Sequence, residues 1–555
     1  MKKPPSFWDL VAAVPREKRK GPSLLNLLTE PEPSGKALDS RGEPQGELRR
    51  QQSPCALCFN EDQVYWAMRN MPIEEATKHF MICGVVGSGK TTAIDLFLQS
   101  IAPRFHPDRK QPEQLIIFDA KCDILPTLAG FGLRPGQDNV WILNPFDARC
   151  AVWNLADAAK APAMARYIAT LLVPPEPQST SPFFASAARD LVVYVMWGLN
   201  RIRGSRWSLR DLLCALDSKE HIQGVTASHP RARRLVASIL NDDKHAFGVI
   251  STLTTKLARF EEVAALWHDR EAGPRFAIDQ FLARPGVLVL GYDPVLNESL
   301  WPINAILLKA LTDEILRGSN SRRPRHWFVL DEFRAMENVD CIHNLLNRGR
   351  SKGASVLIAL QSTEGLIDIY KEHRAEDILS ACAHKTFLRL GDPKTAGWAE
   401  SYFGQTRRIE QVVSESFGGT SGHSTSIQYG LQDRPTLLAS YFMNLPFTGP
   451  GKPYKAIHDV PWLECTLITD RWFDQLNAWR RPPAEDVAAF VPHPDPESQK
   501  LKEWTPAEEI LFGLKEPPKK PSGGARSKAR RRRLPTLRRP PSPDLTGLAP
   551  EDTQP

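Results

Sequence analysis

The sequence predicts an α/β fold with a mostly parallel β-sheet, an inserted all-α domain and disordered N- and C-terminal arms. Seven short apolar runs alternate with stretches of helical periodicity, which is typical of a parallel sheet covered on both faces. In residues 155–283 the periodicity is helical almost throughout. Residues 1–60 and 484–555 are rich in proline and charged residues, which favours disorder.

The predicted elements follow one another along the chain. Strands are expected at residues 79–83, 115–119, 140–143, 287–290, 327–330, 355–360 and 386–390. Helices of the insertion are expected at 162–173, 183–200, 209–216, 231–240 and 246–267. Pro162 suits a first helical turn and Ser208 suits an N-cap. A short helix is expected near 505–513, and another near 7–14.

These elements divide the chain into five parts. We predict the following division: a flexible arm at 1–60, the first part of the α/β domain at 61–154, the all-α insertion at 155–283, the second part of the α/β domain at 284–483, and a disordered basic tail at 484–555. A length of 555 residues suggests two or three folded domains, since domains hold roughly 100–200 residues.

The composition indicates a soluble cytoplasmic chain. Hydrophobic residues make up 42% and charged residues 24%, which excludes a wholly disordered protein. No apolar run approaches the ~18 residues of a membrane-spanning helix, and no secretory signal is visible. Nine scattered cysteines fit a reducing compartment. Cys55 and Cys58 form a lone Cys-x-x-Cys, which we interpret as an incidental pair because a zinc site needs four ligands.

The net charge of +7 belongs to the tail. Residues 515–555 contain eleven Lys/Arg and four Asp/Glu, which leaves 60 of the 71 basic and 60 of the 64 acidic side chains in residues 1–514. Nucleic-acid binding by the folded part must therefore depend on local patches. The basic cluster at 526–539 is the strongest electrostatic candidate, with DNA, RNA, an anionic membrane surface or an acidic protein as its partner.

Residues 84–91 match the phosphate-binding pattern G-x-x-x-x-G-K-[ST]. Glycines let the backbone curl so that its N–H groups face nucleotide phosphates, and the following helix adds its positive end. Lys90 is expected to reach the β and γ phosphates, and Thr91 to hold Mg²⁺. The predicted nucleotide-binding residues are Gly84, Val85, Val86, Gly87, Ser88, Gly89, Lys90, Thr91 and Thr92. ATP and Mg²⁺ are the expected cofactors.

An apolar strand at 327–330 ends in Asp331 and Glu332. Asp331 is expected to bind the magnesium, and Glu332 to position and polarise the attacking water. Such a pair is typical of motors that couple hydrolysis to movement. The sequence therefore predicts an ATPase.

Two further polar sites have open interpretations. Gln361 follows the strand at 355–360, where it would sense the γ phosphate or only cap a helix. Arg348 and Arg350 lie in the basic stretch 347–353. Arg350 is expected either to act as a finger in the site of a neighbouring subunit or to contact DNA phosphates or solvent.

An ordered set of motifs carries a family resemblance over roughly 75–480. The motifs are HFMICGVVGSGKTT, LIIFDAKCD, WILNPFD, VWN, WFVLDEF, LLNRGRSKGASVLIALQS, FLRLGDPKTAGWAESYFG and LLASYFMNLP. The chain resembles the TraD/TraG family of conjugative coupling ATPases of type IV secretion. The resemblance implies a RecA-like P-loop motor that forms a hexameric ring and delivers single-stranded DNA, with an attached relaxase, to channel proteins.

The chain departs from this family in two ways. Members usually carry an N-terminal membrane anchor, and here none is visible; either a separate docking protein holds the chain at the inner membrane or it no longer works there. Relatives often have Asp-x-Lys-Gly after the second strand, whereas this chain has Asp119, Lys121 and Cys122.

Two alternatives stay open at this point. The first is an FtsK/HerA-like DNA motor in segregation, repair or defence. The second is an ATP-dependent coupling or switch protein for protein substrates, with no DNA activity. DNA-stimulated ATPase activity is expected of a coupling ATPase and of an FtsK/HerA-like motor, but not of the switch protein.

Overall fold

The computed structural model describes residues 60–515, except 138, 176–181, 270–272, 294–295, 337–339, 419–421 and 494–499. Side chains at 408–429 are also outside the description. Residues 1–59 of the arm expected at 1–60, the Cys55–Cys58 pair and the basic cluster at 526–539 therefore lie outside the described residues. No helix in the described part of the chain is long and apolar enough to cross a membrane.

A nine-stranded sheet forms the centre of the α/β domain. All seven predicted strands are present. Wherever two of the seven are neighbours in the sheet, they pair in parallel. In chain order they are β3 (Phe80–Cys83), β4 (Gln114–Asp119), β5 (Val140–Leu143), β8 (Gly286–Gly291), β9 (Ser321–Leu330), β10 (Lys352–Leu360) and β11 (His384–Phe387). Across the sheet their order is β11, β3, β10, β9, β4, β8, β5. The predicted mostly parallel sheet is confirmed.

Two strands at one edge were not predicted. β14 (Pro453–Val460) pairs antiparallel with β11, and β15 (Cys465–Trp472) pairs antiparallel with β14. Both mix polar and apolar residues, so neither gives the continuous apolar run by which the seven buried strands were found. Tertiary pairing, rather than local pattern, makes them strands.

Helices and apolar side chains cover both faces of the sheet. Before residue 484, the described α-helices outside the insertion are Lys90–Ile101, Ile124–Gly130, Asn297–Arg317, Asp340–Arg348, Thr363–Tyr370, Glu372–Ala381, Pro393–Phe403, Ala439–Met443 and Phe473–Trp479. On one face Trp66, Phe80, Phe97 and Trp327 form a row with ring centroids 4.6–6.0 Å apart. This aromatic layer packs the first helix after the phosphate loop against the sheet.

The insertion lies between β5 and β8 and is mainly helical. Its helices are Leu155–Ala158, Pro162–Leu172, Pro182–Arg203, Leu209–Leu216, Lys219–Ala227, Pro230–Ile239, Asp243–Leu257, Glu261–Asp269 and Ile278–Leu282. Pro162 occupies the first turn as expected, and Ser208 forms a capping box with Asp211. The helix expected at 246–267 is broken by a 3₁₀ turn at Ala258–Phe260, and Lys219–Ala227 was missed. The domain limits at 155 and 283 stay a prediction.

Smaller strand pairs lie outside the main sheet. β1 (Gln63–Trp66) and β2 (Arg69–Pro72) form a hairpin ahead of β3. β6 (Val152–Trp153) and β7 (Arg275–Phe276) form a short parallel pair at the base of the insertion. β12 (Gln405–Gly418) and β13 (Gly422–Pro435) form a long two-stranded ribbon. None of these strands was predicted, because each is short or lacks an uninterrupted apolar pattern.

The prediction of a disordered tail from residue 484 onward is wrong for residues 484–493 and 500–515. The backbone N–H of Ala484 donates to the Pro126 carbonyl (2.9 Å), and that of Ala148 donates to the Val491 carbonyl (2.7 Å). Residues 484–493 thus cross the α/β domain toward the insertion. Proline content suggested disorder here, but an extended segment that packs onto existing surface needs no helix or strand pattern of its own.

Residues 500–515, which we call the C-terminal clasp, pack on the insertion. Trp504 donates its indole N–H to Asp211 (3.0 Å) and stacks on Phe512 at 4.3 Å. The buried Arg210 guanidinium bonds the Lys502 carbonyl (2.7 Å) and the Glu508 carboxylate (2.8 Å). The expected short helix is present at Pro506–Leu511. Buried aromatic area and a satisfied ion pair hold the clasp in place.

Replacing Trp504 should release the clasp. We expect Trp504→Ala to weaken its docking by about 3 kcal/mol, because an indole that is 7% exposed is lost together with its hydrogen bond. Hydrogen exchange of the amides at 505–514 would then be faster. The matched control is Leu511→Ala in the helix that follows Trp504 in the clasp, since Leu511 is 50% exposed. Equal protection in Trp504→Ala and wild type would contradict the docking role.

Candidate nucleotide site

The order of the central strands brings the predicted site residues to one edge. β3, β10, β9 and β4 are consecutive neighbours, with Cys83 opposite Leu360 and Leu330 opposite Ile358. The carboxyl ends of parallel strands meet at one edge of a sheet, where ligands bind in open α/β folds. The phosphate loop, Gln361 and the two acids after β9 therefore share an edge.

Two glycines give the phosphate loop its curl. Gly87 has φ +76° and Gly89 has φ +101°, in the left-handed region that favours glycine. A Cβ on Gly89 would lie 2.9 Å from the Tyr454 ring. Lys90–Ile101 begins at the next residue, and within the described chain no side chain caps this helix and no acid lies in its first turn. Its unpaired N–H groups and positive end are available to an anion.

Lys90 lies inside the curl of the loop. Its Nζ donates to the carbonyl of Gly84 (2.5 Å) and to that of Val85 (3.2 Å). Burial lowers the pKa of the Lys90 ammonium, while the neighbouring Glu332 carboxylate raises it. The loop thus holds a desolvated cation beside its own amides, as phosphate binding requires.

Lys121 joins the two expected magnesium ligands. Its Nζ lies 2.6 Å from Asp331 Oδ2 and 3.3 Å from Thr91 Oγ1. Burial alone would lower the pKa of Lys121, but the hydrogen bond and charge of Asp331 outweigh burial and raise it. Lys121, the lysine noted after the second strand, therefore lies beside Thr91 and Asp331.

Glu332 is held by the predicted sensor. Gln361 Nε2 donates to Glu332 Oε2 at 2.7 Å. Asp331 Oδ1 and Glu332 Oε1 are buried and accept no hydrogen bond from the described residues. Such orphaned carboxylate oxygens fit a hard cation and a water molecule. The described residues contain no cluster of three or more His, Cys, Asp or Glu that could hold a metal alone, so Mg²⁺ would need phosphate oxygens as well.

Asp119 does not face the phosphate loop. Its carboxylate accepts from the backbone N–H of Asp123 (3.3 Å) and of Ile124 (3.2 Å). Burial raises the pKa of this carboxyl to about 6, against the opposing effect of the Ile124 N–H. Asp119 thus stabilises the turn that presents Lys121.

A second loop, which sequence reasoning missed, clamps the phosphate loop. Thr448 donates its N–H to the Gly87 carbonyl (2.9 Å) and its hydroxyl to the Ser88 carbonyl (3.0 Å). The Arg389 guanidinium lies 4.5 Å from the centroid of the Phe447 ring. Arg389 follows β11 at the shared edge, and this position after a parallel strand could have marked it as a site residue. No motif marks Thr448.

Arg350 does not enter the site of its own chain. It is exposed in the turn Gly349–Ser351, at the start of Lys352–Leu360, whereas Gln361 follows the other end of that strand. Arg348 ends the preceding helix on the same side. Both arginines therefore face away from the phosphate loop, toward solvent or another molecule.

The chain is similar to known coupling proteins. A family model described as the type IV secretion-system coupling protein DNA-binding domain matches residues 65–461. The chain is 24% identical to the coupling protein TraD of Escherichia coli (strain K12) over 407 residues, which are 70% of this chain and 53% of TraD. It is 20% identical to the type IV secretion system-coupling protein VirD4 of Bartonella quintana (strain Toulouse) over 348 residues, 59% of this chain and 54% of VirD4. The chain spans about half the length of these relatives.

A solved structure shares the fold. The plasmid coupling protein TrwB in complex with ADP and Mg²⁺ aligns with a TM-score of 0.57 at 18% identity, over 81% of this chain and 95% of that chain. The expected RecA-like P-loop fold is confirmed.

The contact of Gly89 with Tyr454 predicts a position-dependent effect of adding a methyl group. We expect Gly89→Ala to lower the free energy of unfolding by about 3 kcal/mol, because a left-handed backbone penalty of about 1–2 kcal/mol adds to a steric clash. Gly132→Ala is the matched control, since Gly132 has φ +93° and a Cβ there would meet no atom of the described residues within 4 Å. Urea unfolding followed by tryptophan fluorescence would measure both. Equal losses would show that the Tyr454 contact contributes nothing.

Proposed function

The chain belongs to the family of the type IV secretion-system coupling protein DNA-binding domain, and on this premise we propose that it is an ATP-hydrolysing motor that translocates DNA. The observation that carries the proposal is the convergence of Lys90, Thr91, Asp331 and Glu332 at one sheet edge. The named relatives are coupling proteins, and TrwB binds ADP and Mg²⁺.

Nucleotide binding rests on the phosphate loop. The left-handed Gly87 and Gly89 turn successive amides toward one point, and the helix beginning at Lys90 adds its positive end. The Lys90 ammonium would move from the carbonyls of the loop to the β and γ phosphates. This arrangement recognises a triphosphate through its charge and shape.

Hydrolysis rests on the carboxylates. Thr91 and Asp331 would hold Mg²⁺, which would supply positive charge to offset the charge that develops on the phosphates. Glu332 Oε1, which accepts no hydrogen bond from the part of the chain that the structure describes, would orient and polarise the attacking water. Gln361, bonded to the other oxygen of Glu332, would link the state of the γ phosphate to the position of that base.

Assembly and partners follow from the family premise. We expect a homo-hexameric ring that moves single-stranded DNA with its relaxase toward type IV secretion channel proteins. A separate membrane-docking protein would hold the cytoplasmic chain at the inner membrane. Arg348, Arg350 and Lys352 lie at the opposite end of β10 from Gln361, where a neighbouring subunit or DNA phosphates would meet them.

ATPase activity of the purified chain with and without DNA tests the proposal. We expect single-stranded DNA to stimulate hydrolysis by wild type. Glu332→Gln should bind ATP but lose turnover by about 10²-fold or more, because the amide cannot polarise water. The control Glu376→Gln changes an exposed acid on the helix Glu372–Ala381 and should behave as wild type. Hydrolysis that ignores DNA would favour a protein-substrate switch.

Mixed rings test Arg350. Alone, Arg350→Ala and Lys90→Ala should each lose most activity, by about 10³-fold or more for a true finger. Mixed together, they should regain part of it, because some interfaces then combine an intact Lys90 from one subunit with an intact Arg350 from the next. Steady-state ATPase assays over a range of mixing ratios would measure the recovery. No recovery would assign Arg350 to DNA or solvent.

A further inference from the structure

Lys121 occupies the space between the two groups assigned to magnesium. Its ammonium bonds Asp331 Oδ2 at 2.6 Å and Thr91 Oγ1 at 3.3 Å. An ammonium carries three donors and no free electron pair, so it cannot be a metal ligand. Mg²⁺ needs oxygen ligands at about 2.0–2.1 Å in a near-octahedral arrangement. The cation of the side chain and the metal ion therefore compete for the same oxygens.

A built turn, rather than a free loop, presents Lys121. The turn follows β4, whose neighbour β9 carries Asp331 at its end. Asp119 accepts hydrogen bonds from two backbone N–H groups of this turn. The Cys122 thiol donates to the Tyr292 carbonyl at 2.8 Å. Both ends of the short segment around Lys121 are thus fixed, and its side chain is aimed at Asp331.

We propose that Lys121 is a placeholder for magnesium, which neutralises Asp331 in the nucleotide-free protein and leaves when the metal–nucleotide complex binds. This inference rests on the proposed function, since it takes Thr91 and Asp331 as the metal ligands. The placeholder prevents Asp331 from standing as an unpaired, half-buried charge beside Glu332.

The geometry allows the placeholder to leave. The Lys121 side chain is 40% exposed, so the ammonium has a path to solvent. An ion pair with one partner so exposed is weak, because water and salt screen it. Asp123 lies near enough to interact with the Lys121 charge and offers it another partner. The cost of displacing Lys121 from Asp331 thus weakens metal binding only slightly when the nucleotide phosphates supply further oxygen ligands.

The placeholder would order the binding events. A metal ion that arrives without nucleotide must displace the Lys121 ammonium and gains only two protein ligands, Thr91 and Asp331. This exchange is unfavourable. A metal ion that arrives with a triphosphate gains further oxygens. Lys121 would therefore keep the empty site free of metal and make occupancy depend on nucleotide.

Binding of Mn²⁺, measured by electron paramagnetic resonance on the full chain, tests the proposal. Without nucleotide, Lys121→Met should bind Mn²⁺ roughly two- to fivefold more tightly than wild type, the equivalent of one exposed ion pair. Lys121→Gln should do the same and guards against an effect peculiar to methionine. Lys110→Met is the charge-matched control, because Lys110 is exposed ahead of the amino end of β4, and should leave Mn²⁺ affinity unchanged.

The outcomes separate the placeholder from the proposed function. Without nucleotide, Mn²⁺ binding by both Lys121 variants that is equal to or weaker than that of wild type would overturn the placeholder. If the variants bind Mn²⁺ more weakly only in the presence of a non-hydrolysable ATP analogue, Lys121 is a phosphate ligand instead. If wild type takes up no Mn²⁺ even with that analogue, the metal site of the proposed function fails as well. Thermal unfolding gives a second readout: nucleotide-free Lys121→Met should melt below wild type, and Mn²⁺ should restore more of its stability.

Discussion

The parallel order β11, β3, β10, β9, β4 is the constraint on which the site depends. In a parallel sheet every strand delivers the residue after its last hydrogen bond to the same edge. Strands that lie far apart in the sequence thus place the phosphate loop, Gln361, the two acids and Lys121 together. For example, Cys83 and Leu330 lie on the two strands that flank β10. Each of these side chains comes from a different connection, so no local segment could build the site alone.

Most of the α/β core and of the site could be predicted because their signals are local. Buried parallel strands need apolar side chains on both faces, and this gives continuous runs such as 327–330. The phosphate loop needs glycine where φ is positive, and both Gly87 and Gly89 meet that need. The hydrogen-bond partners of the site residues could not be predicted from the sequence. The contact of Lys121 with Asp331 crosses 210 positions and depends on strand order alone.

The features that were missed have no local signature. Thr448 clamps the phosphate loop through hydrogen bonds that span 360 positions, and any short polar residue at its place would look the same in sequence. The short helix of the C-terminal clasp was predicted, but its docking on Arg210 and Asp211 depends on contacts that no local pattern indicates. Arg210 in turn looks like an ordinary exposed helical arginine until the clasp covers it.

The departure from the family pattern at Cys122 has a physical explanation that leaves the site intact. Cys122 has φ +55°, in the left-handed region where relatives with glycine would suffer no strain. A non-glycine residue there costs on the order of 1 kcal/mol, and the hydrogen bond from Cys122 to Tyr292 offsets part of it. The backbone shape that glycine permits is therefore retained, with the side chain tied to the chain beyond β8. That same turn presents Lys121 to Asp331, so the residue that the site uses keeps its place with cysteine at position 122.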